Sequence, residues 1–126
     1  MTTADISTLK TSVAGMRFIA QMTIYNKQDI ARLESYLREN YHKRALKERD
    51  IATRTAEFQT LLAQHGRARI SQVIGADKHH AVVLVTYERG DLYGLYDLIV
   101  EDDYPHLILA FDQQPMEVAQ DDEAPE

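Results

Sequence analysis

At Gly66 the spacing of the apolar residues changes from steps of three and four to steps of two, and this switch divides the chain into a helical half and a strand half. Upstream, Ile6, Leu9, Val13, Met16 and Ala20 form one stripe, which predicts a helix over about 4–25 that begins at Asp5 or just before it. The stretch "YNKQD" interrupts the stripe. Ile30, Leu33, Leu37 and Tyr41 then repeat the helical spacing, with Lys, Arg and Glu on the other faces, and predict a second helix. "HKRALKER" can form a short helical turn. Asp50 is a natural N-cap for a third helix carrying Ile51, Thr55, Phe58 and Leu62, and Gly66, directly after His65, supplies its stop.

Beyond the switch, four segments rich in β-branched and aromatic residues fall at about 67–74, 79–88, 91–101 and 106–113, separated by the turn-forming "GADK", "RG" and "DDYP". Connections this short join antiparallel neighbours, so the strands are expected to form a meander. Helices followed by such a sheet predict an α+β fold, with the helices packed on one face of a four-stranded antiparallel sheet.

The chain has 126 residues, the size of one domain, and a domain of this length buries about two-thirds of its unfolded surface without any staple. It contains no cysteine, which removes disulfides, thiolate metal sites and thiol nucleophiles from consideration. No window approaches the length of a membrane span, and "MTTADISTLKTSVAGMRFIAQM" lacks the pattern of a secretion signal, so a cytoplasmic location is expected. A net charge of −6 repels phosphate backbones, so neither nucleic acid nor membrane is an expected partner. Residues 1–113 read as the domain, and 114–126, acidic and without apolar periodicity, read as a disordered tail.

If Arg89-Gly90 is the turn of the central hairpin, Val85 faces Gly94, Val83 faces Tyr96 and Ala81 faces Leu98 on one side. That side, with Tyr87, belongs to the helices. The other side carries Leu84 against Leu95, Val82 against Asp97, Thr86 against Tyr93 and His80 against Ile99, and is too apolar to meet water uncovered. A second copy of the same face is the simplest cover, so Val82, Leu84, Tyr93, Leu95 and Ile99 are candidates for a homodimer interface. A helix wrapping round, or a moderate exposed patch, are the alternatives.

The order of helices and strands, with "FIAQMTIYNKQDIARLESYL" leading and an Asn26-x-x-Asp29 turn between helices, resembles the nuclear-transport-factor-like superfamily. This cystatin-like group includes ketosteroid isomerase and SnoaL-like enzymes. The second half is similar to small domains of this fold that accompany bacterial serine-hydrolase and peptidase domains, through Leu98, Val100, Glu101, Pro105, His106 and Ile108. The resemblance implies a curved sheet and a pocket between sheet and helices. It also implies an oxyanion-stabilising tyrosine eight residues ahead of Asp29, where this chain has Gln21, and Asp97 falls on the wrong side for a general base.

Tyr25, Phe58, Tyr87, Tyr96 and Phe111 are the candidates to line such a pocket around a small apolar ligand, although core packing or the dimer interface is the preferred explanation for the aromatic residues. Asp77, His79 or His80, Asp102, Asp103 and His106 gather at one end of the meander. Asp77, His80, Asp102 and His106 there offer mixed nitrogen and oxygen donors to a divalent cation, but polar turns flanking solvated strands are the preferred reading. No metal or cofactor is assigned. "RGD" at 89–91 is ordinary hairpin chemistry, and the basic cluster His42, Lys43, Arg44, Lys47 and Arg49 reads as a solvated linker. The expected function is a non-catalytic ligand-binding or assembly module acting as a homodimer, with a small apolar ligand or another protein as its partner. The alternative is a small isomerase, dehydratase or hydrolase with a pocket between helices and sheet.

Overall fold

The computed structural model describes residues 3–89 and 92–117. Five helices precede four strands: α1 (Thr3–Lys10), α2 (Val13–Asn26), α3 (Ile30–Asn40), α4 (Lys43–Glu48), α5 (Ile51–His65), β1 (Ala68–Ala76), β2 (His80–Tyr87), β3 (Leu92–Val100) and β4 (Ile108–Glu117). The strands form one antiparallel sheet in the order β1-β2-β3-β4, so the architecture is α+β with a meander sheet. No helix among the described residues is long and apolar enough to cross a membrane.

The first helix of the sequence reading is in fact two. Ser12 caps α2 by accepting from the Gly15 N–H at 2.8 Å, and Thr11 turns its hydroxyl back to the Thr8 carbonyl. A Cβ on Gly15 would stand 2.0 Å from the Leu9 carbonyl oxygen, so glycine there lets α2 begin hard against the end of α1. Asp50 caps its helix as the sequence indicates, and Asp29, read only as part of a turn, does the same for α3. Asp29 accepts from the Arg32 N–H and Asp50 from the Thr53 N–H, each satisfying an orphan donor of the first turn. "KRALKE" becomes α4, capped by His42 Nδ1, and α5 ends on Gly66 at φ +81°.

The central hairpin holds the register its turn predicts, pairing Val83 with Tyr96, Leu84 with Leu95 and Val82 with Asp97. Gly90, on which the expected turn falls, and Asp91 lie outside the described residues. Burial alternates residue by residue along β2 and β3, so one face of the sheet is closed and the other is open to solvent. Onto the closed face α2 packs Phe18 and Tyr25, while Leu33 and Leu37 of α3 complete a core with Val83, Val85, Leu98 and Val100. Each such side chain contributes about 1.5–3 kcal/mol through burial.

The last strand runs four residues past 113, through Pro115, which pairs with Gly94. Proline is tolerated because β4 is an edge strand and needs no outward donor. Residues 114–117 therefore belong to the sheet instead of the tail, and 118–126 lie outside the described residues.

Candidate functional site

The interior is filled by aromatic rings. Tyr25 stacks obliquely on Phe58 with centroids 5.8 Å apart, Phe58 on Phe111 at 6.1 Å, Phe111 on Tyr96 at 5.3 Å, and Phe18 meets Tyr96 edge-on at 5.7 Å. These contacts form a continuous chain from α5 to β4 and β3, and then to α2, through the space where a pocket was expected. Beside Phe58 and Phe111 a cavity of about 30 Å³ remains, lined also by Arg49, Arg54, Glu57 and Gln113. That volume matches one water molecule's share of liquid.

The hydroxyls of this cluster are used internally. Tyr25 donates to the Gly66 carbonyl at 2.9 Å, and the Tyr87 and Tyr96 hydroxyls share a hydrogen bond of 2.5 Å. Burial pushes the Tyr87 phenol up to about 12 and raises Tyr25 and Tyr96 as well, with the neighbouring Tyr87 adding to both. They remain neutral donors at physiological pH. Among the described residues the buried polar side chains are Ser12, Gln21, Arg54 and Thr55, and none of them takes up a proton near neutrality. Gln21, where the resemblance asks for a tyrosine, accepts from the Tyr41 hydroxyl at 2.6 Å. Arg54 lies over the Tyr41 ring, 5.0 Å from its centroid.

The candidate metal ligands at the turn end do not converge. Asp77 accepts from the backbone N–H groups of His79 and His80, which is the chemistry of a turn. The His80 ring nitrogen Nε2 meets the Asp97 carboxylate on the open face, whereas His79 Nδ1 reaches Asp102 at 3.3 Å. His106, at φ +58°, directs Nδ1 to the Glu101 carbonyl. Asp77 thus serves its turn, His80 pairs with Asp97, Asp102 meets His79 and His106 turns to Glu101, so Asp77, His80, Asp102 and His106 have separate partners, although the His79 and His106 rings lie 6.2 Å apart. Among the described residues no three His, Asp or Glu side chains are arranged to hold a metal ion.

On the open face Val82, Leu84, Tyr93, Leu95 and Ile99 are all partly exposed, and Ile74 of β1 beside them is 54% exposed. The His80–Asp97 pair sits within this apolar surface, and Asp112 lies directly opposite Asp97 on β4.

A feature the sequence reading did not find is a groove of about 640 Å³ between α2 and the free edge of β1, walled by Ile19, Met22 and Ile70. Asn26 closes one end by bonding both ways to the Ala68 backbone, at 2.8 Å each. Its position in the Asn26-x-x-Asp29 turn was the available signal, but it read as a turn marker because its partner is 42 residues away.

Comparison with known protein families, with curated proteins and with solved structures finds no match to this chain.

Proposed function

We propose that this protein is a non-catalytic assembly module of the nuclear-transport-factor-like type, which pairs with a second copy through the open face of its sheet. The observation that carries this reading is the contrast between the two faces. The closed face is filled by the Tyr25, Phe58, Phe111 and Tyr96 rings, whereas the open face presents Val82, Leu84, Leu95 and Ile99 to solvent. An isomerase, dehydratase or hydrolase of this superfamily needs a cavity between helices and sheet, and the ring chain occupies that volume.

A two-fold pairing suits the surface because the same patch serves both copies. The His80 ring keeps the Asp97 carboxylate partnered when the face is desolvated, which limits the cost of burying that charge. Sedimentation velocity tests the reading. A species of twice the 14.4 kDa chain mass that becomes a monomer in Leu84→Glu and Leu95→Glu is expected. A wild-type monomer at all accessible concentrations, or a dimer indifferent to both substitutions, would remove it.

A further inference from the structure

We infer that the groove between α2 and the β1 edge is a strand-addition site for an acidic, extended segment of another protein. The backbone supplies the first part of the argument. Asn26 bonds Ala68 through both its N–H and its C=O, so Ala68 directs these groups away from β2. Ladder groups alternate in direction along an antiparallel strand, and the pairing is regular from Ala68 to Ile70. Ile70 therefore offers its own N–H and C=O to the same free edge, beside the groove of about 640 Å³. Asn26 already does for Ala68 what the backbone of such a strand would do for Ile70.

Side chains select the occupant. Ile19, Met22 and Ile70 provide an apolar floor for alternate side chains of an added strand. At the rim, Arg67 is neutralised by Glu88, its Nη2 donating to the carboxylate at 2.6 Å, which leaves Lys27 and Arg69 as exposed cations without a side-chain partner among the described residues. This positive rim stands out on a chain with net charge −6. Two copies joined β1 to β1 would set these cations against each other, and like charges opposed across a ladder are destabilising. Asn26 already holds both Ala68 groups, and the bulges after Ile70 and Val73 interrupt the edge beyond, so backbone pairing with an added strand centres on Ile70. An acidic strand from a different chain meets every one of these conditions.

The test is an NMR titration of isotope-labelled protein with three synthetic peptides: alternating Val and Glu, alternating Val and Lys, and the Val/Glu peptide N-methylated along its backbone. The Val/Glu peptide is expected to bind, to shift the amides of Ala68–Gln72 and to slow hydrogen exchange at the Ile70 amide, while the other two do not. Lys27→Glu with Arg69→Glu should weaken binding at least about tenfold with an unchanged melting temperature, because both side chains are exposed. Leu84→Glu on the open sheet face should leave the affinity as it was, which separates this site from the dimer surface. Equal binding of all three peptides, retained affinity in the Lys27/Arg69 variant, shifts centred on Leu84 and Leu95, or no binding of the Val/Glu peptide at millimolar concentration would each overturn the inference.

Discussion

Asn26 and Ala68 are joined by a two-way hydrogen bond: Asn26 Nδ2 donates to the Ala68 carbonyl and Asn26 Oδ1 accepts from the Ala68 N–H, each at 2.8 Å. The pair ties the last residue of α2 to the first residue of β1 and so sets where the sheet begins relative to the helix that covers it. It also occupies part of a free strand edge, which an uncommitted backbone would leave open to aggregation.

Removing that amide leaves both Ala68 groups without a protein partner in a half-buried position. Asn26→Ala is expected to cost about 1–3 kcal/mol, read as a lower urea midpoint. Asn26→Asp keeps the acceptor for the Ala68 N–H but turns a carboxylate toward its carbonyl, so it should rescue little at neutral pH. Full stability in Asn26→Ala would mean that water replaces the side chain without loss.

A second prediction concerns Gly94. A Cβ there would stand 2.5 Å from the Tyr87 hydroxyl and 2.8 Å from Tyr96 Cε1, so the buried tyrosine pair has been built into the space glycine leaves. Gly94→Ala should destabilise by about 1–3 kcal/mol. Tyr87→Phe removes the nearer atom, and although alone it strands the Tyr96 hydroxyl, the double variant should lose less than the sum of the two single losses. Strict additivity in denaturant melts would contradict this packing.

The elements that were legible in the sequence are those set by local chemistry. Asp50 starts a helix because a carboxylate must satisfy the first-turn donors, and the turn expected at Arg89-Gly90 implies the register that β2 and β3 hold. The break at Ser12 was hidden because Leu9 and Val13 keep a step of four across it, so the stripe runs on unaltered. Residues 114–117 read as tail because they carry no apolar periodicity, and pairing with β3 is what makes them strand. At the site, the aromatic residues were identifiable one by one. Whether they line a cavity or fill it depends on ring tilts between α2, α5 and the sheet, and periodicity carries no such information. Asn26 and the β1 groove escaped for a related reason: an edge exists only once the neighbours of a strand are known.

Alkaline stability provides the third prediction. Burial raises the phenol pKa of Tyr87 to about 12 and shifts Tyr25, Tyr41 and Tyr96 upward too, each from an ordinary 10.0. The native state thus holds protons that the unfolded chain releases, and the stability these phenols contribute is whole below about 10 and lost as pH rises through the folded values. Each tyrosine so held costs about 1.4 kcal/mol per pH unit across that window. Tyrosinate absorbance should therefore develop for these residues together with unfolding. Their ionisation near 10 with the fold intact would show that the rings are solvated.

The fourth prediction rests on Arg54, whose side chain is 5% exposed and donates from Nε to the Arg49 carbonyl at 2.7 Å and from Nη2 to the Ala45 carbonyl at 2.9 Å. These carbonyls belong to α4 and its C-cap, and a helix of six residues has little stability of its own. Arg54 thus holds α4 in place, while Tyr41 supports the guanidinium from its ring face. Lysine keeps the charge but not the planar fork, so Arg54→Lys should lose about 2–4 kcal/mol despite conserving charge. Arg54→Met retains the apolar stem and buries no cation, but it still abandons both carbonyls. Hydrogen exchange distinguishes the local effect from a global one. In both variants the α4 amides should exchange faster than the change in overall stability accounts for, while the middle of α5 should follow the global value. If α4 protection falls only in step with global stability, the helix is held by Ala45 packing, and the two hydrogen bonds are incidental to its position.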